Sequence, residues 1–337
     1  MLALAERKRV SGAEFLTAYA AGMEVACRLT GMIALPPAEA DPGWSIGGII
    51  CGLASAVAGA KLLGLAQDQM KWAIGIAASG AAGTRAEFGT MTASLLFGQA
   101  AQTGIRAALL ASNGFTSSHK SIDGQYGYAW MFSRSPNLAA LTDRLGEHYE
   151  VSSTTYKPYP TDIAIHPGID AMLALRNEYG LDSRDIVRIQ MTTSKLALAI
   201  CNRPAPADEL EAKFSIQYWV AATAVHGKAQ LEQGKLEEIE DPDIRRLCSV
   251  MELVPMPDFA WDAIEITADL KDRRRLTKRI DHCFGTLDSP MPDELLEDKF
   301  VAQASLSIGR DRAAELASLC WKVDALPDAA ILAAKAC

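Results

Sequence analysis

Three features of the sequence predict a mostly α protein, with a helical-bundle domain that carries an inserted α+β domain. Apolar stretches rich in Ala and Gly, each of helix length and separated by Gly turns, fill the region before residue 115. The character changes near residue 150, where short β-branched and alternating stretches appear. From Pro292 the helical pattern returns and runs to the end. Apolar spacing near 3.6 marks helices and strict alternation marks strands.

The elements follow in order. Ser11-Gly-Ala-Glu14 has the form of a capping box, and an amphipathic run follows it to about Thr30. Pro36, Pro37 and Pro42 break the chain. Residues 46–64, 67–82 and 93–113 read as three helices so apolar on most sides that they belong inside a bundle. Gly43, Gly47, Gly48 and Gly52 read as helix-packing glycines rather than a phosphate loop. Ser152 to Thr155 and the KPYP stretch at 157–160 form a linker. A helix is expected over Ile163–Tyr179, then a β-rich DIVRIQM stretch at 185–191, then a helix over 208–226. AIEITADL at 263–270 alternates cleanly, and Arg275 to Cys283 is its expected hairpin partner across Lys271-Asp272-Arg273. The expected domains are 1–149, the inserted 150–288, and 289–337 returning to the first.

Composition narrows the function. The chain has 337 residues, 49% hydrophobic content, net charge −8 and a pI of about 5.3. No basic stripe is interleaved with aromatics, so nucleic acid is not an expected partner. The basic run from Lys271 to Arg275 reads as a solvated hairpin. Seven scattered cysteines, odd in number and with no CxxC pair, fit reduced thiols in the cytoplasm. No signal-peptide pattern opens the chain. The longest apolar run, Ile46 to Ala60, is shorter than the ~20 residues of a membrane span and reads as a buried helix. The five histidines show no metal-ligand spacing, so no metal site is expected.

Three stretches carry candidate chemistry. Gly43-Trp44-Ser45-Ile46-Gly47-Gly48 is a tight turn feeding a helix. FGTMTASLLFGQAAQTG at 88–104 is a second, whose helix start offers N–H groups and a positive dipole end to an anion. The third pairs Lys157, pre-oriented by its prolines, with the stretch Glu211 to Tyr218.

Together these stretches resemble the MmgE/PrpD family. The resemblance runs in order through residues 3–29, 60–83, 88–117, KPYPTDIAIHPGIDA at 157–171, EAKFSIQYWVAATAVHG at 211–227 and DSPMPDELLEDKF at 288–300. It implies a helical first domain, an α+β lid, a homodimer, and a site in the cleft between domains that uses no metal or organic cofactor. The implied partner is a small organic acid. The implied chemistry is proton abstraction beside a carboxylate, followed by loss of water or carbon dioxide or by reprotonation.

The resemblance also implies site residues and shows departures. Lys157 and Tyr218 are the candidate catalytic residues that keep their type. Ser45 stands where the family's turn carries a histidine, and Ala93 and Leu96 stand where it carries a lysine and a histidine. Thr92, Ala93, Leu96, Asp162, Lys213 and Ser215 are the candidate substrate-binding positions; Asp162 falls where many relatives have Cys or His. The chain also begins inside the family pattern, and the segment expected before it brings an Asp and another His to the cleft. Each replacement removes cationic or acid/base capacity, so the expected substrate is less charged than a tricarboxylate. The alternative expectation is a non-catalytic or repurposed member that serves as a binding partner.

Overall fold

The computed structural model describes residues 1–33 and 43–337. The chain-breaking Pro36, Pro37 and Pro42 lie outside the described residues. The chain divides into two compact units: residues 1–87, 92–154 and 297–337 form one, and residues 88–91 and 155–296 the other.

The first unit opens with α1 (Leu2–Lys8), α2 (Gly12–Ile33), α3 (Ile46–Leu63), α4 (Gln67–Ala78), α5 (Met91–Ser112) and the short α6 (Tyr128–Phe132). The capping box before α2 is present: Glu14 accepts from the Ser11 N–H at 2.8 Å, and Ser11 accepts from the Glu14 N–H at 3.3 Å. α3 is long and apolar enough to cross a membrane by length and composition, yet 61% of it is buried within the protein. It supplies Ile49, Ile50, Leu53 and Ala56 to a core shared with Met32 of α2, Ala73 and Ala77 of α4, Ala107 and Ala108 of α5, and Tyr128 and Phe132 of α6. Small residues permit this packing. A Cβ on Gly104 would collide with the Gly52 carbonyl, so α5 and α3 cross backbone to backbone. Gly47 and Gly48 are also packing glycines, pressed against Phe97 and the Ala82 carbonyl. Gly43 differs: it has open space around it and a φ of 81°, so it is a turn residue.

The second unit contains α7 (His166–Tyr179), β1 (Ile186–Thr193), α8 (Lys195–Cys201), α9 (Glu209–Ala212), α10 (Ile216–His226), α11 (Leu236–Ile239), α12 (Pro242–Ser249), β2 (Met251–Pro255), β3 (Ile264–Leu270) and β4 (Arg275–Ile280). The strands form one mixed sheet in the order β2-β1-β3-β4. β1 runs parallel to β2 and antiparallel to β3, and β3–β4 is the expected hairpin. Alternation along β3 buries Ile264, Ile266, Ala268 and Leu270 in the core with Ile169 and Met172 of α7 and Val220 of α10. The helix expected over 208–226 is two helices. Asp208 caps α9, Ser215 caps α10, and the Ala212 carbonyl between them accepts from both the Ser215 N–H and the Trp219 indole N–H. After this unit, α13 (Asp293–Ile308), α14 (Arg310–Trp321) and α15 (Ala330–Ala336) close the chain.

One buried ion pair ties the first unit together. Arg28 and Glu24, one turn apart on α2, meet at 2.6 Å. Arg28 also donates to the Asp143 carbonyl at 2.8 Å, and Glu24 accepts from the Glu150 N–H at 2.7 Å. Both side chains are thereby satisfied, and the irregular segment 137–150 is held on α2. Arg28→Ala leaves a buried carboxylate without its cation. It should lower unfolding free energy by about 3 to 5 kcal/mol, measured by urea denaturation, whereas a loss below about 1 kcal/mol would place the pair among surface bridges.

Candidate functional site

In the first unit, the turn at 43–48 is tied by a side-chain cap and a backbone bond. Ser45 is buried, with extended backbone, and its hydroxyl accepts from the Gly48 N–H as the N-cap of α3. Its own N–H donates to the Gly83 carbonyl at 3.1 Å. Leu96 of α5 is buried as well. A Cβ on Gly83 would lie 3.4 Å from both the Ser45 and the Leu96 side chains, so these two positions share one small neighbourhood. Thr92 is exposed and Ala93 half-buried in the first turn of α5. Ser45 and Leu96 thus offer one capping hydroxyl and an apolar wall, and none of Ser45, Thr92, Ala93 and Leu96 is titratable.

In the second unit the arrangement is different. Lys157 follows the linker, and its ammonium donates to the Thr161 carbonyl at 3.2 Å. Asp162 caps the short 3-10 turn Ile163–Ile165 by accepting from the Ala164 N–H at 3.0 Å. The Asp162 N–H donates to the Lys213 carbonyl at 2.9 Å, which brings the 157–162 and 211–218 stretches together. The Lys213 side chain is exposed. The Cys201 thiol, buried at the end of α8, lies 3.6 Å from Asp162 Oδ1 and donates to it. Burial pushes this thiol well above its usual range and the Asp162 charge adds to the effect, while Arg203 and Lys157 oppose it. The thiol therefore keeps its proton.

Arg203 is the cation that the sequence reading missed. Its guanidinium donates to the Phe88 carbonyl at 2.9 Å and lies 5.7 Å above the Phe214 ring, which itself stacks on Phe88 at 5.4 Å. Gly89 is required here twice over. Its φ is 95°, and a Cβ would lie 2.9 Å from an Arg203 nitrogen. Ser215, fully buried, donates from its hydroxyl to the Arg203 carbonyl and accepts from the Tyr218 N–H at 3.1 Å. Lys157, Asp162, Cys201 and Arg203 thus form one cluster, with Ser215 as its brace.

Tyr218 takes a different place. It is buried in the core of the unit, and its hydroxyl donates to the Gln233 carbonyl. Burial raises its pKa strongly, with the Glu238 charge contributing. The ring lines a cavity of about 560 Å³ together with Pro204, Ile239, Ile244 and Cys248. None of Lys157, Asp162 or Cys201 lines that cavity. Among the described residues, no group of three or more His, Cys, Asp or Glu side chains is arranged to hold a metal ion.

The chain belongs to the MmgE/PrpD family: the family's N-terminal domain matches residues 1–140 and its C-terminal domain residues 159–323. It is similar to cis-aconitate decarboxylase of Homo sapiens, 29% identical over 340 residues that cover 98% of this chain and 70% of that protein. The cis-aconitate decarboxylase of Mus musculus is 28% identical with nearly the same coverage. That of Aspergillus terreus is 25% identical across 96% of this chain and 71% of its own length.

Removing the Tyr218 hydroxyl leaves the Gln233 carbonyl without its donor. Tyr218→Phe should cost about 1 to 3 kcal/mol of stability in denaturant unfolding. An unchanged midpoint would show that the hydroxyl is not committed to that carbonyl.

Proposed function

We propose that this chain is a lyase-type enzyme of the MmgE/PrpD family. In this reading it acts on a small carboxylic acid by proton abstraction and elimination, of dehydratase, decarboxylase or isomerase type, with an altered active site. The observation that carries the reading is the Lys157–Arg203–Asp162 cluster. It joins the family's KPYP stretch to the loop after α8: Asp162 accepts from the Cys201 thiol, and Lys157 and Arg203 both bear electrostatically on that thiol. Cations so placed bind a substrate carboxylate and stabilise the enediolate that forms when the neighbouring C–H bond breaks. The electron pair then expels a β-substituent, or a proton returns to the same carbon. For decarboxylation the C–C bond to a second carboxylate breaks instead, and the carbon left behind takes up a proton.

The positions Ser45, Ala93 and Leu96 favour a substrate with fewer charges than a tricarboxylate, because they offer no cation. The same proposal includes a cytoplasmic homodimer that needs neither metal nor organic cofactor. A second reading, a non-catalytic binding or partner protein, draws support from two committed hydroxyls: Ser45 caps a helix and Tyr218 bonds a core carbonyl.

Proton NMR of the protein in D₂O with cis-aconitate, 2-methylcitrate and less charged β-functionalised acids separates the readings. Product formation or α-proton exchange is expected, slowed about 100-fold or more in Lys157→Ala. Folded protein that neither turns over nor exchanges any of these acids would favour the binding role.

A further inference from the structure

Four of the five histidines have their partners outside this cluster. His226 pairs with Glu238 at 2.7 Å and His282 with Asp262 at 2.9 Å. His119 accepts from Trp72 at 3.2 Å, and His148 faces Glu150, both in the first unit. His166 is fully buried at the start of α7, edge-on to Tyr159. Tyr218 has its proton committed to Gln233, and the Cys201 thiol stays protonated.

Asp162 is placed otherwise. Capping a helical turn takes one carboxylate oxygen, and here Oδ1 alone does it, taking both the Ala164 N–H and the Cys201 thiol. No described residue bonds Oδ2. The side chain is half-buried rather than solvated. Three fixed groups hold the carboxyl in place: the Ala164 N–H and the Cys201 thiol on Oδ1, and the Lys213 carbonyl on the residue's own N–H. Two cations, Lys157 and Arg203, bear electrostatically on the Cys201 thiol that Asp162 holds. Lys157 sits on the carbonyl of the preceding residue, and Arg203 is two residues beyond Cys201.

We propose that Asp162 is the proton acceptor of this site through Oδ2, and that Cys201 is the positioning residue that orients it. The inference rests on the lyase reading above and names the group that does its first step. In that step the C–H bond beside the substrate carboxylate breaks, an O–H bond forms at Asp162 Oδ2, and the electron pair enters the enediolate held by Lys157 and Arg203. The proton is then returned to carbon or delivered to the leaving group, which restores the carboxylate.

The test uses the full chain with an acid that the wild type exchanges in D₂O, and calorimetric binding of that same acid. Asp162→Asn keeps Oδ1 as an acceptor and removes the base. It should lose exchange by about 100-fold or more while binding stays within about threefold. Asp162→Glu should recover part of the exchange, as a purely structural role would not. Asp162→Ser keeps the cap on the Ala164 N–H and carries the test if the Asn variant does not fold. Cys201→Ala should slow exchange without weakening binding, and Cys201→Ser, which retains a donor, should restore it. Exchange by the Asn or Ser variant at near wild-type rate would overturn the proposal and leave the lyase reading standing. So would a loss of binding that matches the loss of exchange. If the wild type turns over an acid with no α-proton exchange, this proposal fails and the lyase reading stands; if it neither turns over nor exchanges any of the acids, both fail.

Discussion

The arrangement of the second unit depends on one hydroxyl. Ser215 is fully buried and uses its Oγ in both directions, accepting the N–H that starts α10 and donating to the Arg203 carbonyl. The neighbouring Phe214 then supplies the ring under the Arg203 guanidinium, and that guanidinium fixes the Phe88 carbonyl. A helix start, a proline-rich loop and a cation are therefore set by a single side chain. Ser215 reads in the sequence as a substrate contact; in the structure its bonds are to the protein.

The helices were legible because their signals are local. Apolar periodicity marked α3, α4 and α5 to within a few residues of their ends, and the Ser11–Glu14 box marked the start of α2. Alternation marked β3, and the Lys271–Arg273 turn gave its partner β4. β2 went unread because MELVP is five residues long and half-buried, and its parallel partner β1 lies some 60 residues earlier in the chain, beyond the reach of a window. The break between α9 and α10 was hidden for a related reason. Lys213 and Phe214 are ordinary helix residues, and the Ser215 cap and the Trp219 indole decide the matter through contacts within the fold.

The site was legible only in part. Lys157 and Asp162 stand out by motif position, and the structure adds the Lys213 carbonyl and the Cys201 thiol that join their stretch to two others. Arg203 carried no signal, since Asn202-Arg203-Pro204 sits in a loop without periodicity, and its contacts with Phe88, Gly89 and Phe214 reveal it. That approach also changes the reading of the Gly-Thr-x-Thr turn. Sequence alone suggests a cradle for an anion at the start of α5, whereas in the structure an arginine is already bonded to the residue before Gly89. Within the second unit, positive charge is carried by Arg203 and Lys157.

A crystal structure of the protein with a bound small carboxylic acid tests the central claim most directly. The account predicts a carboxylate within hydrogen-bond reach of Lys157 Nζ and an Arg203 terminal nitrogen, with a C–H bond facing Asp162 Oδ2. An acid seated instead in the cavity beside Tyr218 and Cys248, with Lys157 and Arg203 unliganded, would contradict it.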